Sequence, residues 1–404
     1  MKSSATTDGA KNELGAAFAL VNEDNAIHCV CHNIQLCVND PLNDKKKNPP
    51  PSCQRHRAIK RKLHELVVFI NTHKVPHEAF LELVRVKRNT AEGARMFESL
   101  VEDVITRWDS ELAMMERAYY FDREILELLS RPALGIPAEM ALNRFEFDLM
   151  YAMTLVLAPI RVFTKFAQHK SAVTFAYVPK LIDDLICALV PGSFAARLQN
   201  CHPDTLEASE AFQAELVASL KQRFQPLFSG DSLALAARYF LPGRNLFVFE
   251  NFDVNEGILQ AVRDNILGDV VELLPPDAPQ FRRDGLAAMS RISLQTARAE
   301  LDNAETEEDP LHWWPLHPEF TSLYPVAKMY LQIPASSAEN ERSFSSASFT
   351  LDPRRTRLDL DNFRREHRLR RFLLAGNARD IASDLMTRYA DTVGTLRADL
   401  ERPH

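Results

Sequence analysis

Glycine is scarce in this chain: twelve in 404 residues, well under the roughly 7% of an average protein. That excludes folds built on Gly-rich phosphate loops or many tight hairpins, and no nucleophile elbow or dinucleotide fingerprint is present either. Positive charge is also in deficit, with 48 Lys and Arg against 55 Asp and Glu and a net charge of -7. No bulk field draws the protein to nucleic acid, so any DNA affinity must come from local patches. Cysteine is sparse at six, with Cys29, Cys31, Cys37 and Cys53 near the beginning and Cys187 and Cys201 far from them. That is unlike an extracellular disulfide framework and implies a reducing compartment. No apolar run approaches the roughly eighteen residues of a membrane span. The early run Leu14 to Val21 ends in Asn22, Glu23 and Asp24, which is unlike a secretory signal.

What is present is the balance of a globular protein, 46% hydrophobic and 25% charged, and a length that predicts two or three structural units. Residues 1–22 read as a polar loop leading into a helix, with no leading strand. A second apolar patch covers residues 26–40, and Pro41, Lys45 to Lys47 and Pro49 to Pro51 mark a loop at about 41–55. Apolar residues recur at helical spacing from Leu63 to Leu129, as in Leu112, Met115 and Tyr119, and again over Phe145 to Leu198, Leu206 to Phe224 and Asn255 to Leu274. Pro275 and Pro276 stop the last of these. The acidic stretch Glu300 to Asp309 reads as a solvated linker. Near the end, Ile381, Leu385, Tyr389, Val393, Leu396 and Leu400 fall on one helical stripe that a partner helix should cover.

Several residues have both a structural and a chemical reading. Asp8 precedes LGAAFALV, where an Asp serves as a helix N-cap, and Glu341 by itself reads as a solvated helix carboxylate. Cys29 and His32 have metal-like spacing with Cys31, Cys37, Cys53 and His56 nearby, so a zinc site is the alternative to a buried structural role. Trp108 reads as a core aromatic, and Trp313 and Trp314 as packing residues. Lys45 to Lys47 and Lys60, Arg61 and Lys62 resemble a bipartite nuclear localisation signal, which places the protein in the nucleus. The Arg-rich run Arg354 to Arg371 is interleaved with Leu358, Leu360, Phe363 and Leu369, a pattern that favours an interface with a charged rim over a phosphate site.

Two C-terminal segments, DPLHWWPLHPEF (309–320) and LYPVAKMYLQIPASSAENERSFSSASFTLDPRRTRLDLDNFRREHRLRRFL (323–373), resemble the C-terminal dimerisation region of hAT-superfamily transposases. TTDGAKN (6–12), HCVCHNIQLCVNDPL (28–42) and ITRWDSELAMMER (105–117) resemble three further hAT blocks in the same order. The resemblance implies a mostly α protein with a partial α/β RNase H-like core and a large helical insertion domain before the last catalytic helix. It implies residues 1–27 as part of that core, 28–305 as the insertion, and 306–404 as the dimerisation region that completes the core.

Such transposases use an Asp, Asp, Glu set of carboxylates, because phosphoryl transfer needs divalent cations and hard cations take carboxylate oxygens. By resemblance Asp8 is the second Asp and Glu341 the final Glu, together holding Mg2+ or Mn2+ in an active enzyme. Glu339 is two residues away, about 200° around a helix, and does not share the face of Glu341. By the same resemblance Arg107, Trp108 and Arg342 contact DNA, with Trp108 stacking on an unpaired base, and Cys29 and His32 are structural.

The family's first Asp lies well upstream of the second, whereas seven residues precede Asp8 here and none is Asp or Glu. The expectation is therefore a transposase-derived chain, truncated or domesticated, that forms a homo-oligomer through 306–404, touches DNA weakly, crosses no membrane and lacks strand transfer. The alternatives are an active metal-dependent transposase with further sequence upstream, and a domesticated nuclear regulator that uses the dimerisation surface to hold other proteins.

Overall fold

A computed structural model describes residues 5–7, 26–43, 48–90, 99–104, 108–169, 173–243, 246–304 and 310–337. The protein is mostly helical, and the strands among the described residues are two of three residues each, β1 Ala5–Thr7 and β2 Ala26–His28. They pair in parallel, Ala5 opposite Ala26, Thr6 opposite Ile27 and Thr7 opposite His28. The expectation of an opening without a strand is corrected here. Two consecutive β-branched threonines suit a strand, but three residues are too few to show a period-two pattern. A parallel pair cannot be closed by a tight turn.

The helices follow in chain order: α1 Val30–Leu42, α2 Gln54–Thr72, α3 Lys74–Thr90, α4 Trp108–Tyr120, α5 Asp122–Leu129 and α6 Arg144–Ala167. After them come α7 Val178–Ala188, α8 Asp204–Phe224, α9 Leu233–Tyr239, α10 Glu256–Glu272, α11 Gln280–Asn303 and α12 Tyr324–Leu331. The loop expected at 41–55 is shorter than the prolines suggested. Helix α1 takes in Pro41, a 3-10 turn begins at Pro51 with proline in its first position, and α2 starts at Gln54. The solvated linker expected from Glu300 is also corrected: α11 continues to Asn303, and Leu301 is 1% exposed. One apolar side chain at the right helical phase anchors a segment whose composition is acidic.

The chain divides into two compact units. One comprises residues 34–161 and 188–220. Its helices start on local signals. Asn143 accepts the Glu146 N–H at 3.0 Å while Glu146 accepts the Asn143 N–H at 2.8 Å, a capping box that sets the beginning of α6. Its core holds Leu63, Leu66, Ile70, Leu112, Met115 and Phe147, all fully buried. Phe80 meets Phe121 edge-on at 5.3 Å, and Arg161 grips Glu116 through two bonds of 2.7 Å.

The other unit comprises residues 1–33, 162–187 and 221–403. Ser232 caps α9 by accepting the Leu235 N–H at 3.3 Å, and Asn255 caps α10 by accepting the Ile258 N–H at 3.1 Å. Phe240, next after α9, stacks on Tyr330 of α12 and accepts the Trp314 indole N–H at its carbonyl, 3.3 Å away. Trp313 and Trp314 are each 2% exposed, which satisfies their reading as packing residues. The Arg298 guanidinium donates to the Tyr239, Leu241 and Gly243 carbonyls at 2.7 to 2.9 Å, tying α11 to the end of α9.

Among the described residues α6 is the one helix long and apolar enough to cross a membrane. Phe147, Met150, Val156, Leu157, Ile160 and Phe163 on it are fully buried, and it carries Glu146, Asp148, Arg161 and Lys165. Helices apolar on most faces and covered by protein belong to cores.

Candidate functional site

The place where distant sequence blocks meet is the start of α1. Strand β2 ends at His28, and Cys29 follows as the N-cap position, its carbonyl accepting the first intrahelical bond from the Asn33 N–H at 3.0 Å. The first turn of any helix leaves N–H groups without intrahelical partners. Here the tract Pro334 to Ser337 supplies one: the Ala335 carbonyl accepts the Val30 N–H at 2.9 Å. Ser337 donates its backbone N–H to Cys29 Sγ at 3.3 Å, and Ser336 Oγ lies 3.6 Å from the same sulfur. The Ala335 N–H is in turn held by Thr174 Oγ1 at 3.2 Å. Cys29, Ala335, Ser336 and Ser337 are all buried, so these bonds form away from water, where leaving a polar group unmade costs most.

The donors around Cys29 also set its acidity. A hydrogen bond from Cys31, together with the Ser337 donors, holds the Cys29 thiol well below its ordinary value against the opposing effect of burial. Cys31 is pushed up for the complementary reason, by its bond to Cys29 and by burial, and its Sγ points at the Thr164 carbonyl 3.8 Å away. His32, one turn along, is exposed. Among the described residues no three His, Cys, Asp or Glu side chains gather as a metal site.

Trp108, first residue of α4, is 3% exposed, and its backbone N–H points to Gln35 Oε1 at 3.3 Å. An indole so enclosed stacks on a base only after leaving its place. Asp8, Arg107, Glu341 and Arg342 lie outside the described residues. Their sequence neighbours do not: Thr7, next to Asp8, pairs with His28, and Ser337, four residues before Glu341, bonds to Cys29. Strand spacing and bond lengths put Thr7 and Ser337 within about 15 Å of each other.

Sequence reasoning missed the contacts of Cys29 with Ser336 and Ser337, which join residues more than 300 positions apart and leave no local signature. It also missed a half-buried polar cluster of α2, α4 and the segment before α4. There His64 Nδ1 sits 2.5 Å from Asp103 Oδ1, and Lys60 Nζ sits 2.7 Å from Glu111 Oε1. Burial, opposed by Lys60, pushes the Glu111 carboxyl up.

The hAT family C-terminal dimerisation region matches residues 293–364. The matched segment begins inside α11, takes in α12 and contains the tract that caps α1. No curated protein matches the chain. Residues 293–364 are thus similar to a hAT C-terminal dimerisation region.

Proposed function

We propose that the protein is a hAT transposase-derived chain that self-associates through residues 306–404 and contacts DNA weakly. The observation that carries this reading is the family match over 293–364. It is supported by the Arg-rich run interleaved with Leu358, Leu360 and Phe363, and by the apolar stripe Ile381 to Leu400. Two differently tagged copies of the full chain, expressed together, should co-purify in equal amounts. Failure to do so at any salt concentration that leaves both soluble would remove the self-association reading.

The same reading gives Asp8 and Glu341 as two carboxylates of a phosphoryl-transfer site within an RNase H-like core. Supporting it is the run of contacts from β1 to β2, to Cys29 and to Ser337, which draws the neighbours of both carboxylates toward one place. The donor set fits hard cations, since carboxylate oxygens are what Mg2+ and Mn2+ take; bound there, such a cation would supply charge stabilisation for an attacking or leaving oxygen. The contribution of the chain is to hold the two carboxylates in register. Mn2+ binding followed by paramagnetic resonance should weaken in Asp8→Asn and Glu341→Gln to a similar degree. Unchanged binding in both would remove the site assignment.

DNA contact through Arg107 and Arg342 is part of this reading, with Trp108 joining only if α4 opens at its first turn. The nuclear reading rests on Lys45 to Lys47 and on Lys60, Arg61 and Lys62, of which Lys60 is paired with Glu111 and Lys62 with Glu146.

A further inference from the structure

Helix α11 carries two apolar faces. At about 100° per residue, the fully covered side chains Ser290, Leu294, Ala297 and Leu301 share one side of it. Phe281, Gly285, Ala288 and Ile292 lie within about 60° of one another on the opposite side, with Met289 at its edge. This second face is open: Phe281 is 77%, Met289 69% and Ile292 68% exposed. A Cβ placed on Gly285 would meet nothing within 4 Å. Exposed Arg282, Asp284 and Arg291 flank the stripe with charges of both signs, the polar rim of a protein interface.

We propose that this outer face of α11 is part of the homodimer interface, covered by the same face of a second copy. The inference rests on the self-association reading and extends it, since the stripe lies just N-terminal to Ser293, where the matched dimerisation region begins on the same helix. The shape is self-complementary. Small residues, Gly285 and Ala288, occupy the middle, and bulky ones, Phe281 and Ile292, the ends. An antiparallel two-fold crossing centred between Gly285 and Ala288 sets Phe281 of each copy against Ile292 of the other, as an isologous contact requires.

The area fits a partial role. The stripe exposes on the order of 400 Å² of apolar surface, as large as the largest patch on a typical monomer. Two copies bring on the order of 800 Å² against the roughly 1,200 to 2,000 Å² of a stable interface. The matched region supplies the remainder.

The test is sedimentation equilibrium of the full chain beside Phe281→Glu/Ile292→Glu, with folding followed by circular dichroism. Both positions are exposed, and the expected result is a wild-type spectrum with a dimer dissociation constant raised at least about tenfold, the scale of losing interface anchors. Gly285→Cys provides a second reading that does not depend on the double variant. In the full chain it should form a copy-to-copy crosslink with a short bis-maleimide that wild type does not form. A dimeric wild type whose dissociation constant the double variant leaves unchanged, with no crosslink at Cys-substituted Gly285, overturns the α11 interface and leaves the self-association reading standing. A wild type that stays monomeric overturns both.

Discussion

Cys29 does at the residue scale what a capping side chain does for an ordinary helix. It holds the Ser337 N–H while the Ala335 carbonyl holds Val30, and so pins the tract 334–337 to the first turn of α1. Cys29→Ala should cost about 1 to 3 kcal/mol in urea unfolding, the penalty for a buried N–H left without a partner. Cys29→Ser, which can still accept a hydrogen bond, should recover part of it. Equal stability of the alanine variant and wild type would show that the sulfur bonds nothing of consequence. His56 makes a second residue-scale prediction. It is fully buried and stacked 5.1 Å from Phe212. Burial, aided by Arg57 and Arg55 and only partly offset by the backbone of Ala208, pushes its imidazole down to about 4 from 6.5. The unfolded chain therefore binds the proton first. The contribution of His56 is complete above pH 6.5 and is lost as pH falls toward 4, on the order of 3 kcal/mol across that window. Unfolding of His56→Leu between pH 4 and 7 should show a shallower acid loss than wild type, and parallel curves would contradict this.

At the scale of elements, the legible parts were those with enough turns to show a period. Helices α8 and α10 were readable because Leu206 to Phe224 and Asn255 to Leu274 repeat apolar residues over several turns. Helix α9, seven residues long and nearly all apolar, offers no polar face for a period to contrast with. Helix α11 was missed for the opposite reason: apolar side chains on both faces blur the single stripe that marks an amphipathic helix. Strand β1 is too short to read at all. What holds α11 in place is also hidden from pattern, since Arg298 works through carbonyls of another element. Arg298→Ala should cost about 2 to 4 kcal/mol, because three buried carbonyls lose a charged donor. Arg298→Lys, which keeps the charge but not the planar fork, should fall between. Chemical denaturation of the two variants checks the order, and a lysine variant as stable as wild type would mean that one contact suffices.

For the whole molecule, the mostly helical character followed from scarce glycine and helical spacing, whereas the contact of Cys29 with Ser336 and Ser337 was not legible. Nothing local in HCVCHN says that it will meet PASSA, since that contact is decided by tertiary packing across more than 300 residues. The resemblance put the first block in the insertion and the second in the dimerisation region, and the bonds from Cys29 to Ser336 and Ser337 are where the described structure brings the two together. The family match then joins this arrangement to self-association. The most direct measurement is light scattering coupled to chromatography on the full chain and on Leu385→Glu/Val393→Glu, which places two charges on the C-terminal stripe. Self-association through the C-terminal region predicts twice the mass of one chain for wild type and a shift toward the single-chain mass for the variant. A wild type at the mass of one chain throughout the accessible concentration range would contradict it.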